Sequence, residues 1–262
     1  MENLELINKI MEKKEFSRLR KIDVLKAFSF VENRNFADEK KIKLTRDLLR
    51  QVFSAFINTR IFSFKERSYE DVLKKHKSTN ERFNSYGEVY LRILKNFNKI
   101  DKLSIIDLGA GVNGFSFKFF ESLNYKVNYS AVESVGQFVD LMNNYFKKEK
   151  LEAQAFHYSL FEINEILSII KKIKSPRVIL LMKTIDSLEM LERDYSKKLI
   201  SEILNICDSK DIFVVSFATE SLIKKIKFKA KRYWIYNFIK ENYNLIDDFE
   251  ISGERYLIFT KQ

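Results

Sequence analysis

The chain has 262 residues, 45% of them hydrophobic, enough for one large domain or a domain with a small companion. Lys and Arg number 47 against 36 Asp and Glu, a net charge of +11 that suits a polyanionic partner, nucleic acid before a membrane surface. No apolar window reaches bilayer length, and the N-terminus M-E-N-L-E-L-I-N-K-I has no signal-peptide pattern.

One cysteine, Cys207, excludes an internal disulfide, and with only His76 and His157 beside it no metal site is expected. The expected setting is the cytoplasm, with no membrane contact. Frequent Lys, Asn, Ile and Phe also fit a low-GC genome, so the placement of the charge decides more than its total.

The first 75 residues suggest a helical bundle. Short amphipathic runs cover roughly Leu4 to Met11 and Ile22 to Phe30. The clearest run is K-I-K-L-T-R-D-L-L-R-Q-V-F-S-A-F-I, where Leu44, Leu48, Leu49, Val52, Phe53 and Phe56 recur at helical spacing and predict a buried stripe. Lys43, Arg46 and Arg50 lie on another face, an outward basic stripe. A helix from Tyr69 to Lys75 leads out of the bundle.

After Arg82 the pattern changes. Following a helix near Tyr86–Asn96, strands are predicted at 103–108, 127–133, 153–157, 178–182 and 212–217, then at 249–251 and 256–260. Helices are predicted between the first five, near 115–123, 135–147, 161–171 and 195–206, and another near 233–243. Alternating strands and helices imply a parallel sheet with crossovers on both faces. Gly253 and a few neighbours separate the last two strands, which implies an antiparallel hairpin at the sheet edge. This layout resembles class I Rossmann-like methyltransferases: α/β, a mostly parallel seven-stranded sheet with a terminal antiparallel hairpin, here preceded by a helical bundle.

Within that layout, S-I-I-D-L-G-A-G-V-N-G-F-S at 104–116 holds three of the six glycines. Asp107 sits near the end of the first strand, and Gly109, Gly111 and Gly114 form the turn where ligands of open α/β sheets bind. The G-x-G-x-x-G spacing alone also fits a nicotinamide dinucleotide site. The second strand ends at Glu133, placed to accept hydrogen bonds from two ribose hydroxyls. The helical prefix and terminal hairpin favour S-adenosylmethionine over a nicotinamide cofactor.

Upstream, H-K-S-T-N-E-R spans His76 to Arg82. Ser78 and Glu81 have capping-box spacing, predicting a helix start at Ser78. Arg82 is of the type suited to bidentate capture of a carboxylate, such as that of adenosylmethionine's methionine.

H-x-S-T-x-E-R ahead of D-L-x-x-G-x-N resembles the aminoglycoside-resistance 16S ribosomal RNA methyltransferases that modify guanine N7 in the decoding site. T-R-D-L-L-R-Q-V-F-S-A-F, L-L-M-K followed by L-E-M-L-E-R, V-S-F-A-T-E-S-L and the final G-E-R-Y-L-I-F-T-K are similar to further stretches of that family, from about Leu44 to the C-terminus. The resemblance implies residues 1–75 as an RNA-binding helical domain and 76–262 as an S-adenosylmethionine-dependent methyltransferase domain, acting as a monomer on 16S rRNA or the small ribosomal subunit.

By position, it implies that Arg82 holds the cofactor carboxylate with His76 and Ser78 near the methionine end. Gly109, Ala110 and Gly111 lie along methionine and ribose, Glu133 takes the ribose hydroxyls, and Tyr158 and Ser159 stand at the adenine. Lys183 is the catalytic-site residue where the target base meets the methyl group. The sequence has Gly114 where the family commonly has proline, Ala110 for cysteine, Ser159 for aspartate and Glu133 for aspartate.

A run K-K-I-K-F-K-A-K-R follows the fifth strand. Lys224, Lys225, Lys227, Lys229 and Arg232, together with the Lys43, Arg46 and Arg50 stripe, form two candidate patches for RNA phosphates. Other readings are a methyltransferase acting on another RNA position or a small molecule, and a non-catalytic RNA-binding protein with a degenerate cofactor pocket.

Overall fold

The computed structural model describes residues 2–54, 68–97, 102–220 and 232–262. Three helices open the chain: α1 Glu2–Met11, α2 Lys21–Glu32 and α3 Asp38–Leu49. They pack on one another as the expected bundle. The third starts earlier than expected because Asp38 and Glu39 favour its N-terminal turn, where their charge meets the positive end of the helix dipole. It loosens after Leu49 into a π-type turn at Arg50–Ser54. Leu49 and Val52 are buried and Leu44, Leu48 and Phe53 pack against the core. Phe56 lies outside the described residues.

The basic stripe of α3 departs from expectation. Lys43 is exposed, but Arg46 donates to the carbonyls of Lys9 and Ile10, satisfying the last turn of α1. Arg50 pairs with Glu15 at 2.7 Å and Asp47 at 2.8 Å. Two of the three cations therefore bind within the bundle, Arg46 on the terminal carbonyls of α1 and Arg50 on carboxylates.

Helices α4 (Tyr69–Lys75), α5 (Lys77–Arg82) and α6 (Tyr86–Leu94) lead into the sheet. The strands are β1 Leu103–Leu108, β2 Val127–Glu133, β3 Ala153–His157, β4 Arg177–Met182, β5 Ile212–Ala218, β6 Asn244–Ile251 and β7 Glu254–Thr260. Their spatial order is β3-β2-β1-β4-β5-β7-β6, with the first five parallel and β7 antiparallel to both β5 and β6. β1 and β4 are buried along their whole length, as the largely apolar central strands of a sheet covered on both faces must be.

Crossover helices α7 (Phe117–Ser122), α8 (Gly136–Lys148), α9 (Ile163–Lys172) and α11 (Tyr195–Asn205) lie between the parallel strands, and α12 (Tyr233–Asn242) precedes the hairpin. Two features differ from expectation. α10 (Ile185–Leu191) fills the stretch after β4: Ile185, Leu188 and Leu191 recur every third residue and are buried, too short a run to stand out in sequence. β6 begins five residues early, at Asn244, since its polar edge residues Asp247 and Asp248 hid the strand period.

Gly114 has a packing reason. A Cβ there would lie 2.6 Å from Phe146 Cζ and 2.9 Å from Met142 Sδ, both buried side chains of α8. Overpacking of this kind costs about 1–3 kcal/mol. Gly114→Ala is expected to lower the melting temperature by roughly 3–10 °C, measurable by thermal denaturation followed by circular dichroism.

Candidate functional site

Helices enter and leave the sheet so that the ends of β1, β2, β3 and β4 open into one cleft, at the switch in strand order between β1 and β4. Of the ten residues expected at cofactor and base, nine line it: His76, Ser78, Arg82, Gly109, Ala110, Gly111, Glu133, Ser159 and Lys183. Tyr158 does not. It stands half-buried outside the cleft, its ring under the Arg20 guanidinium at 5.5 Å.

The turn after β1 needs its glycines. Gly109 has φ +70° and Gly111 φ +56°, the region that favours glycine. A Cβ would meet Thr184 at 2.9 Å in the first case and the His76 ring at 3.0 Å in the second. Gly111 N donates to Glu133 Oε2 at 2.7 Å and Val135 N to Oε1 at 2.8 Å, which fixes that carboxylate at the cleft wall. Burial nonetheless pushes its carboxyl up to about 7, because two backbone donors do not replace full hydration.

Asn113 is a hub. Its Nδ2 donates to Asp107 at 2.7 Å and to the Tyr90 hydroxyl at 3.2 Å; its Oδ1 accepts from Tyr86 at 2.6 Å and Arg82 Nη1 at 3.4 Å. All four amide valences are used. Asp107 also accepts from the Tyr129 hydroxyl, and burial raises its pKa. Asp107 therefore acts inside the turn, holding the hub.

Arg82 is 2% exposed. It donates through Nε and Nη2 to Glu254 at 3.2 and 2.9 Å, and through Nε to the Tyr256 hydroxyl at 3.2 Å. Burial alone would lower its pKa, but Glu254, Tyr256 and Tyr86 keep it well above the usual value. Beside it His76 is buried and pushed down to about 3 by burial and by Arg82, so its ring is neutral at physiological pH. The ring stands edge-on to Phe138, 5.6 Å between centroids.

The capping-box reading of Ser78 and Glu81 does not hold. α5 begins at Lys77 with His76 at its N-cap and Ser78 already buried within it. Glu81 instead reaches Lys183 at 2.5 Å, and Glu254 meets the same ammonium at 3.2 Å. Lys183 follows β4 in a left-handed conformation, φ +55°, with its N–H bonded to Ser216 O at 3.0 Å.

Three contributors escaped the sequence. Glu254, in the G-E-R-Y stretch, closes the Arg82–Lys183 network from the first position of β7. Val52 and Phe53 extend an apolar wall from the N-terminal segment. Asp23, on α2, is buried in the cleft with its carboxylate accepting from Ser134 and Ser159. Glu254 had a sequence signal, an acid beside a glycine turn, and Val52 and Phe53 were visible as part of an apolar stripe but not as cleft lining; Asp23 had none.

Of the expected RNA contacts, Arg232 pairs with Asp186 at 2.7 Å and donates to Ala218 O at 2.8 Å. Lys224, Lys225, Lys227 and Lys229 lie outside the described residues. Among the described residues no helix is long and apolar enough to cross a membrane.

The sheet order, the glycine turn and the cleft at the switch point define a class I methyltransferase fold. No family model and no curated protein matches the chain. Solved structures do. The chain is similar to the 16S rRNA methyltransferase RmtF in complex with S-adenosyl-L-homocysteine, with a TM-score of 0.74, 19% identity and coverage of 99% of this chain and 98% of that one. It is similar to an rRNA methylase from Escherichia coli at TM-score 0.75 and 14% identity, covering 98% and 99%. It is similar to the 16S rRNA methylase RmtB at TM-score 0.73 and 13% identity, covering 98% of each. The shared fold extends over the whole length, N-terminal helices included.

Proposed function

We propose that the chain is an S-adenosylmethionine-dependent 16S rRNA methyltransferase that acts on guanine N7 in the decoding region of the small ribosomal subunit. The observation that carries this is a single cleft at the switch point holding Glu133, the Gly109–Gly111 turn, Arg82 and Lys183, inside a fold matched end to end by solved 16S rRNA methyltransferases.

The residues suit the cofactor. Glu133 is a buried carboxylate whose remaining lone pairs suit the two hydroxyls of a ribose. The positive-φ glycines allow backbone to approach methionine and ribose. Among the described residues, the bonds of Arg82 occupy three of its five N–H groups, which leaves two for the cofactor carboxylate.

Bound adenosylmethionine supplies a methyl on a sulfonium, and guanine N7 offers a lone pair with no proton, so in-line displacement needs no general base. The chain's part is alignment. Lys183, pinned by Glu81 and Glu254 at the end of β4, lines the end of the cleft where the flipped base enters. Residues 1–75 serve as the RNA-docking part and 76–262 as the catalytic part. With Arg46, Arg50 and Arg232 engaged in intramolecular bonds, phosphate contact rests on Lys43 and on Lys224, Lys225, Lys227 and Lys229.

Small ribosomal subunits incubated with the protein and methyl-labelled adenosylmethionine should carry label in 16S rRNA. Label appearing only in small molecules or in protein would reject the RNA substrate. Binding of the cofactor without any transfer would favour a non-catalytic RNA-binding role.

A further inference from the structure

We propose that Asp23, from the second helix of the N-terminal segment, recognises the adenine of the cofactor by accepting a hydrogen bond from its exocyclic amine. This rests on reading the cleft as an adenosylmethionine site.

Asp23 is 2% exposed although it lies on a helix of the bundle. Its carboxylate enters the cleft between the ends of β2 and β3. Oδ2 accepts from the Ser134 hydroxyl, just after β2, and Oδ1 from the Ser159 hydroxyl, just after β3, at 2.6 Å. Among the described residues Asp23 makes no ion pair. A carboxylate has about four acceptor positions, and these hydroxyls fill two. Burying such a group with so few donors is unfavourable unless a ligand brings another.

The position fits a purine. With Glu133 holding ribose at the end of β2, the base extends toward the end of β3. Leu160 and Phe161 line that part of the cleft, and Asp23 stands among them as the buried acid. Adenine presents an amine there, a donor. A 6-oxo purine presents a carbonyl, which a carboxylate repels. Ser159, whose hydroxyl is committed to Asp23, becomes a positioning residue.

The placement is built by main-chain contacts between the two parts of the protein. Leu19 bridges Val135, Arg20 N donates to Ser134 O at 3.2 Å, and Gly136 N donates to Arg18 O at 2.9 Å. Arg20 also grips Glu162 with its Nε at 2.9 Å. The turn before α2 is thereby fixed to the ends of the strands, and Asp23 with it. Burial pushes the Asp23 carboxyl up to about 6, so the group is ionised at neutral pH and ready to accept.

The test compares S-adenosylhomocysteine with S-inosylhomocysteine, its 6-oxo analogue, by calorimetry on the full chain at pH 7.5. Wild type should prefer the adenosyl ligand by about 10–10²-fold, as expected for one hydrogen bond to a charged acceptor that only the adenosyl ligand can make. Asp23→Ala should bring that ratio near unity, by weakening the adenosyl ligand and, with the repulsion gone, by letting the inosyl ligand bind at least as tightly as before. Inosyl affinity retained or raised shows that the variant is folded. Should Asp23→Ala fail to fold, the isosteric Asp23→Asn reads the same ratio, since its amide can face either purine and the preference should shrink at least tenfold. A preference unchanged in the variants, or equal loss of both ligands, would overturn the assignment. If neither ligand binds wild type, the cofactor reading itself falls, and Asp23's role with it.

Discussion

Replacing Glu254 with alanine should lower stability by about 3–5 kcal/mol, as loss of one partner of a buried ion pair does. Its carboxylate is 2% exposed and serves two cations, Arg82 at 2.9 Å and Lys183 at 3.2 Å, while accepting from the Ser216 hydroxyl. Burial alone would push its carboxyl up, but Arg82 and Lys183 outweigh that and hold it below the usual range. Without it both cations stay buried with too little compensation, and Lys183 keeps only Glu81. The melting temperature should fall on the order of 10 °C. Glu254→Gln should lose less, since the amide oxygen still accepts from Arg82. Denaturant titration of the variants checks this, and a change under about 1 kcal/mol for the alanine variant would contradict the network's structural role.

Glu133→Ala should weaken S-adenosylhomocysteine binding by about 10²-fold or more. Two hydroxyl bonds to a charged acceptor are worth about 1.5–3 kcal/mol each. The group also predicts a proton linkage. Burial pushes its carboxyl up to about 7 and that of Asp23 to about 6, well above the ordinary carboxylate range. The folded, ligand-free protein therefore holds protons that the unfolded chain has shed, so these groups reduce stability as pH rises from about 4 to 7.

Ribose hydroxyls and an adenine amine donate to the ionised forms. Ligand binding below pH 7 should therefore release protons, and affinity should rise with pH up to about 7. Calorimetry at pH 6.5 in buffers of different ionisation enthalpy should read a release on the order of half a proton or more, reduced in Glu133→Ala. Proton uptake instead of release would contradict the placement of these carboxylates.

The five parallel strands were legible because each is a short apolar run between turns, and their ends then located the cleft. Gly109, Gly111 and Glu133 could be placed that way, since a strand-end residue in this topology needs no tertiary information, while Lys183 was singled out only through the family resemblance. Asp23 could not: it acts 111 and 136 residues from Ser134 and Ser159, through helix packing that has no local signature.

Glu81 misled for the opposite reason. Its spacing from Ser78 satisfied a local rule, while its side chain answers to Lys183, 102 residues away. Arg46 and Arg50 looked solvent-facing on a helical wheel because the wheel omits α1 and the turn after it, where the last carbonyls of α1 claim Arg46 and Glu15 claims Arg50. Asn113 was visible in the motif, but its four-valence hub was not, because Tyr86, Tyr90 and Arg82 come from the helices that precede the sheet.

The central claim is tested most directly by locating the methyl group. Small subunits treated with the protein and adenosylmethionine can be digested and their 16S rRNA fragments read by mass spectrometry. The expected result is one new 7-methylguanosine in the decoding region, absent when the cofactor is omitted. A methyl group on another atom or in another region, or unmodified rRNA despite bound cofactor, would contradict it.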